Sequence, residues 1–296
     1  MPTARVEEIE CKRVLNRVAG MGFKWSVNPY RGCAHGCHYC FARRYQGFLD
    51  LDTGGDFSGI VYAKINAPQV IRQELRKPSW RRENVAVGTA TDPYQPIEGK
   101  YRITRSILRE LVDHHTPFGV VTKGPLIVRD IDILVEAAGS EGCNVCFSVT
   151  TMDRELARDL DPGTAPPSQR LRALERLRSE GVTAGVLIAP VVPGLTSDLK
   201  NLETVVRAAA DHGASFVGAS FLRLAPGTRD HFLSYLEESH PELLSTYRAL
   251  YPGTHAPANL VEGTERLVAA IRETTDVPDR LSGKIKPKPL QPALGI

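Results

Sequence analysis

The segment "PSQRLRALERLRSEGVTAGVLIAPVV" (167–192) holds two different periods in succession. Its first half has helical spacing and stops at Gly181, the residue type that best tolerates the turn ending a helix. Its second half, "TAGVLIAPVV" (183–192), is a short apolar run rich in β-branched residues, which suits a buried strand. A helix running straight into a buried strand is part of a βα repeat.

The rest of the chain repeats it. "ENVAVGTAT" (83–91), "FGVVTKG" (118–124), "NVCFSVTT" (144–151) and "SFVGASFLRL" (215–224) predict further strands, and "KWSVNPYRG" (24–32) a weaker first one. "YRITRSILRELVDHH" (101–115) places Ile103, Ile107, Leu108 and Leu111 on one helical stripe. "VRDIDILVEAAG" (128–139) predicts a helix capped by Gly139, and "SDLKNLETVVRAAADHG" (197–213) one that opens on a Ser–Asp cap and stops at Gly213. Five or six such units mean a parallel sheet, closed as a doubly wound open sheet or as a full or partial barrel. Either closure puts functional loops at the carboxyl ends of the strands. Asn28, Thr91, Asp92, Lys123, Thr150, Pro190 and Arg223 fall there. Residues 229–275 read as helices, and "SGKIKPKPLQPALGI" (282–296) as a short extended or disordered tail. The chain thus divides into an N-terminal segment (1–22), a βα unit (23–228) and a helical extension with its tail (229–296).

The 296 residues are 42% hydrophobic and 24% charged, with a formal net charge of +3, which is ordinary for a globular protein and neither requires nor excludes an anionic partner. No apolar run approaches the ~20 residues that span a bilayer. The opening "MPTARVEEIECKRVLNR" lacks the apolar core of a secretory signal. A cytoplasmic location, where thiols stay reduced, is therefore the expectation. The basic run "RQELRKPSWRR" (72–82) reads as a solvated helix face or as a strip that meets phosphates. No Walker or Rossmann glycine loop appears.

In a reducing setting, clustered cysteines point to metal or redox chemistry. "NPYRGCAHGCHYC" (28–40) holds three of the six cysteines, Cys33, Cys37 and Cys40, with His35 and His38 among them. A structural zinc site wants four ligands, and one of the histidines would have to be the fourth. Iron–sulfur clusters are also held by thiolates, usually four. A cubane held by three leaves one iron open to another ligand, as catalytic metal sites do. Cys143 and Cys146 form a second pair, on opposite faces of one strand. Cys146, Ser148 and Thr150 share one face, and Val145, Phe147 and Val149 the other. The pair reads as small buried hydrophobes, or Cys146 as a thiol facing a reaction site. Cys11 carries no assigned role.

"CAHGCHYC" resembles the radical S-adenosylmethionine signature, Cys-x3-Cys-x-aromatic-Cys, with Tyr39 as the aromatic. "NPYRGCAHGCHYCFARRY", "VGTATDPYQPIE", "VTKGPLIVRDIDIL", "SVTTMDRELARDLDPGTAPPSQRLRALERLRSEGV" and "IAPVVPGLTSD" together resemble the spore photoproduct lyase-like family over residues 13–252. The resemblance implies a partial (β/α)6 barrel of the TIM type with a helical C-terminal extension. It implies a 4Fe–4S cluster on Cys33, Cys37 and Cys40, with S-adenosylmethionine chelating the fourth iron. An electron from a donor such as flavodoxin or ferredoxin would cleave the sulfonium to a 5′-deoxyadenosyl radical, which abstracts hydrogen from a substrate. It assigns Phe41, Thr91, Lys123, Ser148 and the backbone of Ala189 to S-adenosylmethionine. "GTATD" (88–92) stands where many superfamily members carry Gly-Gly-Glu.

Several positions keep two readings. Phe41 is a ligand contact or a core aromatic. Asp92 is a turn former or the partner of an ammonium group. Arg170 is a surface arginine or a carboxylate contact, and Arg31 neutralises the cluster or ends a strand. Thr89 and Thr91, two apart, would face the barrel interior together. Spore photoproduct lyases proper return a hydrogen atom from a cysteine two residues before the position matched to Thr91. That position is Thr89 here, and a hydroxyl O–H bond is too strong for the task. Cys146 is the remaining candidate donor. Three functions stay open: a radical S-adenosylmethionine enzyme with an unassigned substrate, a DNA-lesion repair lyase, and a non-catalytic iron–sulfur electron-transfer or metal-binding protein.

Overall fold

The computed structural model of the chain describes residues 4–279. In chain order the strands are β1 (Arg5–Ile9), β2 (Asn16–Arg17), β3 (Trp25–Val27), β4 (Tyr30–Arg31), β5 (Ile60–Lys64), β6 (Val85–Val87), β7 (Phe118–Thr122), β8 (Cys143–Ser148), β9 (Thr183–Val191) and β10 (Val217–Phe221). The helices are α1 (Gly55–Gly59), α2 (Ala67–Leu75), α3 (Glu98–Tyr101), α4 (Ile103–Asp113), α5 (Ile131–Gly139), α6 (Arg154–Leu160), α7 (Pro167–Ser179), α8 (Leu199–Asp211), α9 (Thr228–Ser239), α10 (Leu244–Leu250) and α11 (Ala258–Thr275).

The main sheet runs β10-β9-β8-β7-β6-β3-β2. Its members from β3 to β10 are parallel, and β2 is an antiparallel edge. The parallel strands follow one another in chain order, without the reversal that defines a doubly wound sheet. Between the two closures open in the sequence, this order selects the partial (β/α)6 barrel. Outward residues such as Val120, Val145, Phe147, Val186 and Ile188 share one apolar core with Ile107, Leu134, Leu171 and Leu202 of the surrounding helices. Full burial of such side chains stabilises by about 1.5–3 kcal/mol each. Of the inward set, Val121, Leu187, Ala189 and Ala219 are half-buried, whereas Ala86, Cys146 and Ser148 are buried.

The structure departs from the sequence reading at three places. The predicted strand 24–32 breaks at Asn28–Pro29. Pro29 has no N–H for a ladder, and the Asn28 carbonyl accepts from Lys64 Nζ at 2.8 Å. β3 joins the barrel, whereas β4 pairs antiparallel with β5 in a separate sheet, β1-β5-β4, that the sequence did not suggest. The predicted strand 83–91 ends at Val87, because Gly88 takes a left-handed φ of 86°. A Cβ there would lie 2.6 Å from the Val121 carbonyl oxygen. Thr89 and Thr91 therefore lie in a loop and do not alternate along a strand. Gly139 is the last residue of α5 and does not cap it; Ser140 does.

The C-terminal helices build a second core. Phe232, Tyr235, Leu236, Tyr247 and Tyr251 pack with Leu160, Leu222 and Leu224, and this cluster includes Cys37 and Tyr39. The extension is thus continuous with the cysteine loop. The predicted tail (282–296) lies outside the described residues. No helix among the described residues is long and apolar enough to cross a membrane.

Candidate functional site

The cysteine loop follows β4 and runs into a 3-10 segment, Phe41–Leu49. Cys33 and Cys37 are buried, Cys40 is half-buried, and all three are free thiols. Gly32 enters the loop at φ 76°, where a Cβ would stand 2.2 Å from the Ile60 carbonyl oxygen, so no other residue fits. Neighbouring elements hold the loop backbone. The Cys33 N–H donates to the Phe57 carbonyl at 2.9 Å and the His38 N–H to that of Leu160 at 3.0 Å. The Ala34 N–H donates to Gln95 Oε1 at 2.9 Å. Thr91 Oγ1 donates to the Gly32 carbonyl at 2.7 Å and accepts from Gln95 Nε2 at 3.0 Å. Thr91, expected to face a ligand in the barrel, instead supports this loop. Thr228, at the start of α9, donates to the Cys40 carbonyl at 3.2 Å.

Burial and then the Asp161 charge push the Cys37 thiol well above its ordinary range. Burial and then Cys33 push Cys40 up to about 11. Thiolates here need a positive partner such as iron. Among the described residues no group of three or more His, Cys, Asp or Glu side chains is placed around a single metal ion. His38 turns away, its Nδ1 3.1 Å from His231 Nε2 and its ring stacked on Tyr235 at 4.2 Å.

His35 Nδ1 lies 3.2 Å from Asp92, an ion pair without hydrogen-bond alignment. Burial pulls this imidazole down, but Asp92 and Cys33 override it and raise it to about 10. Asp92 also accepts from Thr122 Oγ1 at 2.6 Å, the Lys123 N–H at 2.6 Å and the Tyr94 N–H at 2.9 Å. It is both the turn former and a staple joining the cysteine loop to β7. Burial alone would raise its carboxyl; His35 and these donors hold it down at about 2. A depressed folded-state value stabilises above the unfolded value and is lost as pH falls through the folded one. The contribution, about 2 kcal/mol, should disappear between roughly pH 4 and pH 2. Asp92→Asn should lose it at neutral pH and show a flatter acid limb in pH-dependent denaturant melts. Parallel acid limbs in the two proteins would contradict this.

On the inner face, Lys123 Nζ donates to Ser148 Oγ at 2.8 Å, and Ser148 Oγ donates to the Ala189 carbonyl at 2.8 Å. These three residues come from the carboxyl ends of β7, β8 and β9 and meet there. Lys123 Nζ also lies 5.3 Å from the Tyr39 ring centroid and 3.8 Å from Asp161. Arg170, read as a surface arginine, is instead 1% exposed. It donates to the Ser148 carbonyl at 2.8 Å and the Ala165 carbonyl at 2.9 Å, and lies 3.5 Å from Asp161. Neither Asp161 oxygen nor the Tyr39 hydroxyl has a hydrogen-bond partner. Burial works to raise the Asp161 carboxyl, but Lys123 and Arg170 keep it below its ordinary value.

Phe41 is 41% exposed and edge-on to Tyr45, so the core reading fails. Cys146 is fully buried on the inward face, its thiol 3.9 Å from Asn144 Oδ1. Cys143 points the other way, 3.3 Å from the Leu134 carbonyl of α5. Arg31 donates to the Tyr45 carbonyl at 2.5 Å. Within the basic run, Arg72 pairs with Glu110, and Trp80 meets Trp25 edge-on at 5.5 Å while its Nε1 donates to Thr116; Arg76, Lys77, Arg81 and Arg82 are exposed. Sequence reasoning missed Arg43, Gln95 and Asp161. All three lie inside the quoted motif blocks, but none follows a periodic pattern that would mark it.

The family model of the radical SAM superfamily matches residues 27–204. An uncharacterised protein of Mycobacterium tuberculosis is 41% identical over 286 residues, 95% of this chain and 83% of that protein. Another, from Methanocaldococcus jannaschii, is 27% identical over 79% of this chain and 83% of its own length. Among solved structures, spore photoproduct lyase complexed with dinucleoside spore photoproduct superposes with a TM-score of 0.70 over 91% of this chain and 79% of that one. At 13% identity that likeness establishes the shared fold. With its length from β3 into α8 matched, more than half of the whole, the chain belongs to the radical SAM superfamily.

Proposed function

We propose that this chain is a radical S-adenosylmethionine enzyme whose Cys33, Cys37 and Cys40 hold a 4Fe–4S cluster. The observation that carries it is the loop itself: three free thiols in the spacing of the signature, on a backbone pinned from several sides. Held there, such a cluster would supply one-electron reduction of the S-adenosylmethionine sulfonium, the chemistry of the superfamily. The chain's own residues would bind and orient. Lys123 offers a buried cation to the methionine carboxylate, held in place by Ser148. The Ala189 backbone meets the adenine, and Phe41 and Tyr39 border the ligand from the motif side. Thr91 acts one step back, through the Gly32 carbonyl.

Hydrogen abstraction would occur on the half-buried inner face near Val121, Leu187 and Ala219. Cys146, two residues before Ser148 on that face, is the proposed hydrogen donor, since an S–H bond is weak enough. Residues 23–228 would form the catalytic barrel, 1–22 precede it and 229–296 form the extension. A reduced carrier of the flavodoxin or ferredoxin class would supply the electron.

The test is anaerobic reconstitution with iron and sulfide, reduction by dithionite and addition of S-adenosylmethionine. Formation of 5′-deoxyadenosine is expected. A loaded, reduced cluster that yields none would leave a non-catalytic iron–sulfur protein. Stimulation by ultraviolet-irradiated DNA would assign a repair substrate, which the hydroxyl at Thr89 argues against.

A further inference from the structure

Arg43 lies three residues beyond Cys40 and is 1% exposed. Its guanidinium donates to four carbonyls. Nε reaches Cys37 at 2.9 Å and Nη2 reaches Gly36 at 2.6 Å, both within the cysteine loop. Nη1 reaches Thr53 at 2.8 Å and Gly54 at 2.9 Å, in the segment that leads into α1. Its carbon lies 4.8 Å from the Phe57 ring centroid. Every one of these partners is neutral, and among the described residues no carboxylate stands within ion-pair distance of it. Other arginines differ: half-buried Arg129 pairs with Glu98 and Asp130, and buried Arg170 faces Asp161. A buried cation without an anion is costly, and interiors rarely hold one.

We propose that Arg43 is a positioning residue for the cysteine loop whose missing counter-ion is the cluster itself, and that its charge raises the cluster's reduction potential. This rests on the assignment of the three cysteines to a 4Fe–4S cluster. Three thiolates outweigh the charge of the oxidised core, so the loaded loop is anionic. Reduction takes one electron from a carrier of the flavodoxin or ferredoxin class and adds one more negative charge, with no bond made or broken. A fixed buried cation favours the more negative state, and neighbouring charge is a recognised determinant of such potentials. The fork geometry separately holds Gly36 and Cys37 against the 53–54 segment. Lysine supplies the charge without the fork; glutamine and methionine supply neither.

The experiment reconstitutes wild type, Arg43→Lys, Arg43→Gln and Arg43→Met anaerobically. Iron content is measured, and each cluster is titrated by the electron paramagnetic resonance signal of its reduced form. At a fixed solution potential, the reduced-to-oxidised ratio should fall at least about tenfold in the neutral variants, about 59 mV for a one-electron couple. Arg43→Lys should stay within about threefold of wild type. Loading only when position 43 carries a cation also supports the proposal. Neutral variants that load fully and titrate with wild type overturn it. A wild-type chain that takes up no cluster would sink the functional reading first, and is distinguished because no substitution is then involved.

Discussion

Alanine at Cys33, Cys37 or Cys40 is expected to abolish 5′-deoxyadenosine formation and to strip the visible absorbance of the cluster. Each thiolate would bind a different iron, so one loss leaves a second iron without a protein ligand. The effect should exceed the ~10–100-fold typical of losing only an outer-shell partner of a metal ligand. The fold should survive. Arg43, Gln95 and Thr91 hold the loop through backbone groups and do not use the sulfur atoms. Far-ultraviolet circular dichroism should therefore match wild type while iron per chain falls. Cys143→Ala provides the contrast: its thiol packs against α5, and its loss should leave iron content unchanged. Substantial turnover in any of the three alanine variants, or iron loss in Cys143→Ala, would remove the assignment.

Asp161→Ala is expected to be among the most destabilising single substitutions in the chain. The carboxylate is completely buried between Lys123 at 3.8 Å and Arg170 at 3.5 Å. Removing it leaves two buried cations facing each other without an anion, a situation that costs about 3–5 kcal/mol. At roughly 2–4 °C per kcal/mol for a domain of this size, the melting temperature should fall by on the order of 10 °C. The exposed pair Arg176–Glu180, one helical turn apart at the end of α7, gives the opposite extreme. Glu180→Ala should cost no more than about 0.5 kcal/mol, because water screens that pair. If the two substitutions shift the melting temperature equally, the Asp161 site is not the electrostatic centre described here. Asp161→Asn separates charge from shape: it should lose most of the same stability while filling the same volume.

The barrel was legible because its evidence is local. The apolar runs at β7, β8 and β9 and the stripes of α4, α7 and α8 are set by periods of two and 3.6 residues, which neighbours in the chain already display. The order of those segments then implies parallel pairing. β1 escaped notice for the converse reason: none of its residues is fully buried, and it pairs across more than fifty residues with β5. The end of β6 was misplaced because Thr89 and Thr91 favour strands, whereas the close approach of Val121 and Pro93 to Gly88 turns the chain away.

The candidate site divides the same way. Spacing alone singles out Cys33, Cys37 and Cys40, since the three fall on one short loop whatever surrounds them. Lys123 was legible because a lysine ending an apolar strand must find a partner. Arg43, Arg170 and Asp161 carry no such mark. In sequence they are charged residues among other charged residues, and three-dimensional packing removes them from water. The same holds for Thr228 and His231 of α9, which reach the cysteine loop from nearly two hundred residues away. Local pattern and spacing determined the barrel and the thiolate trio. Only the tertiary structure decided which charges are buried and what they face, because burial depends on residues distant in the chain.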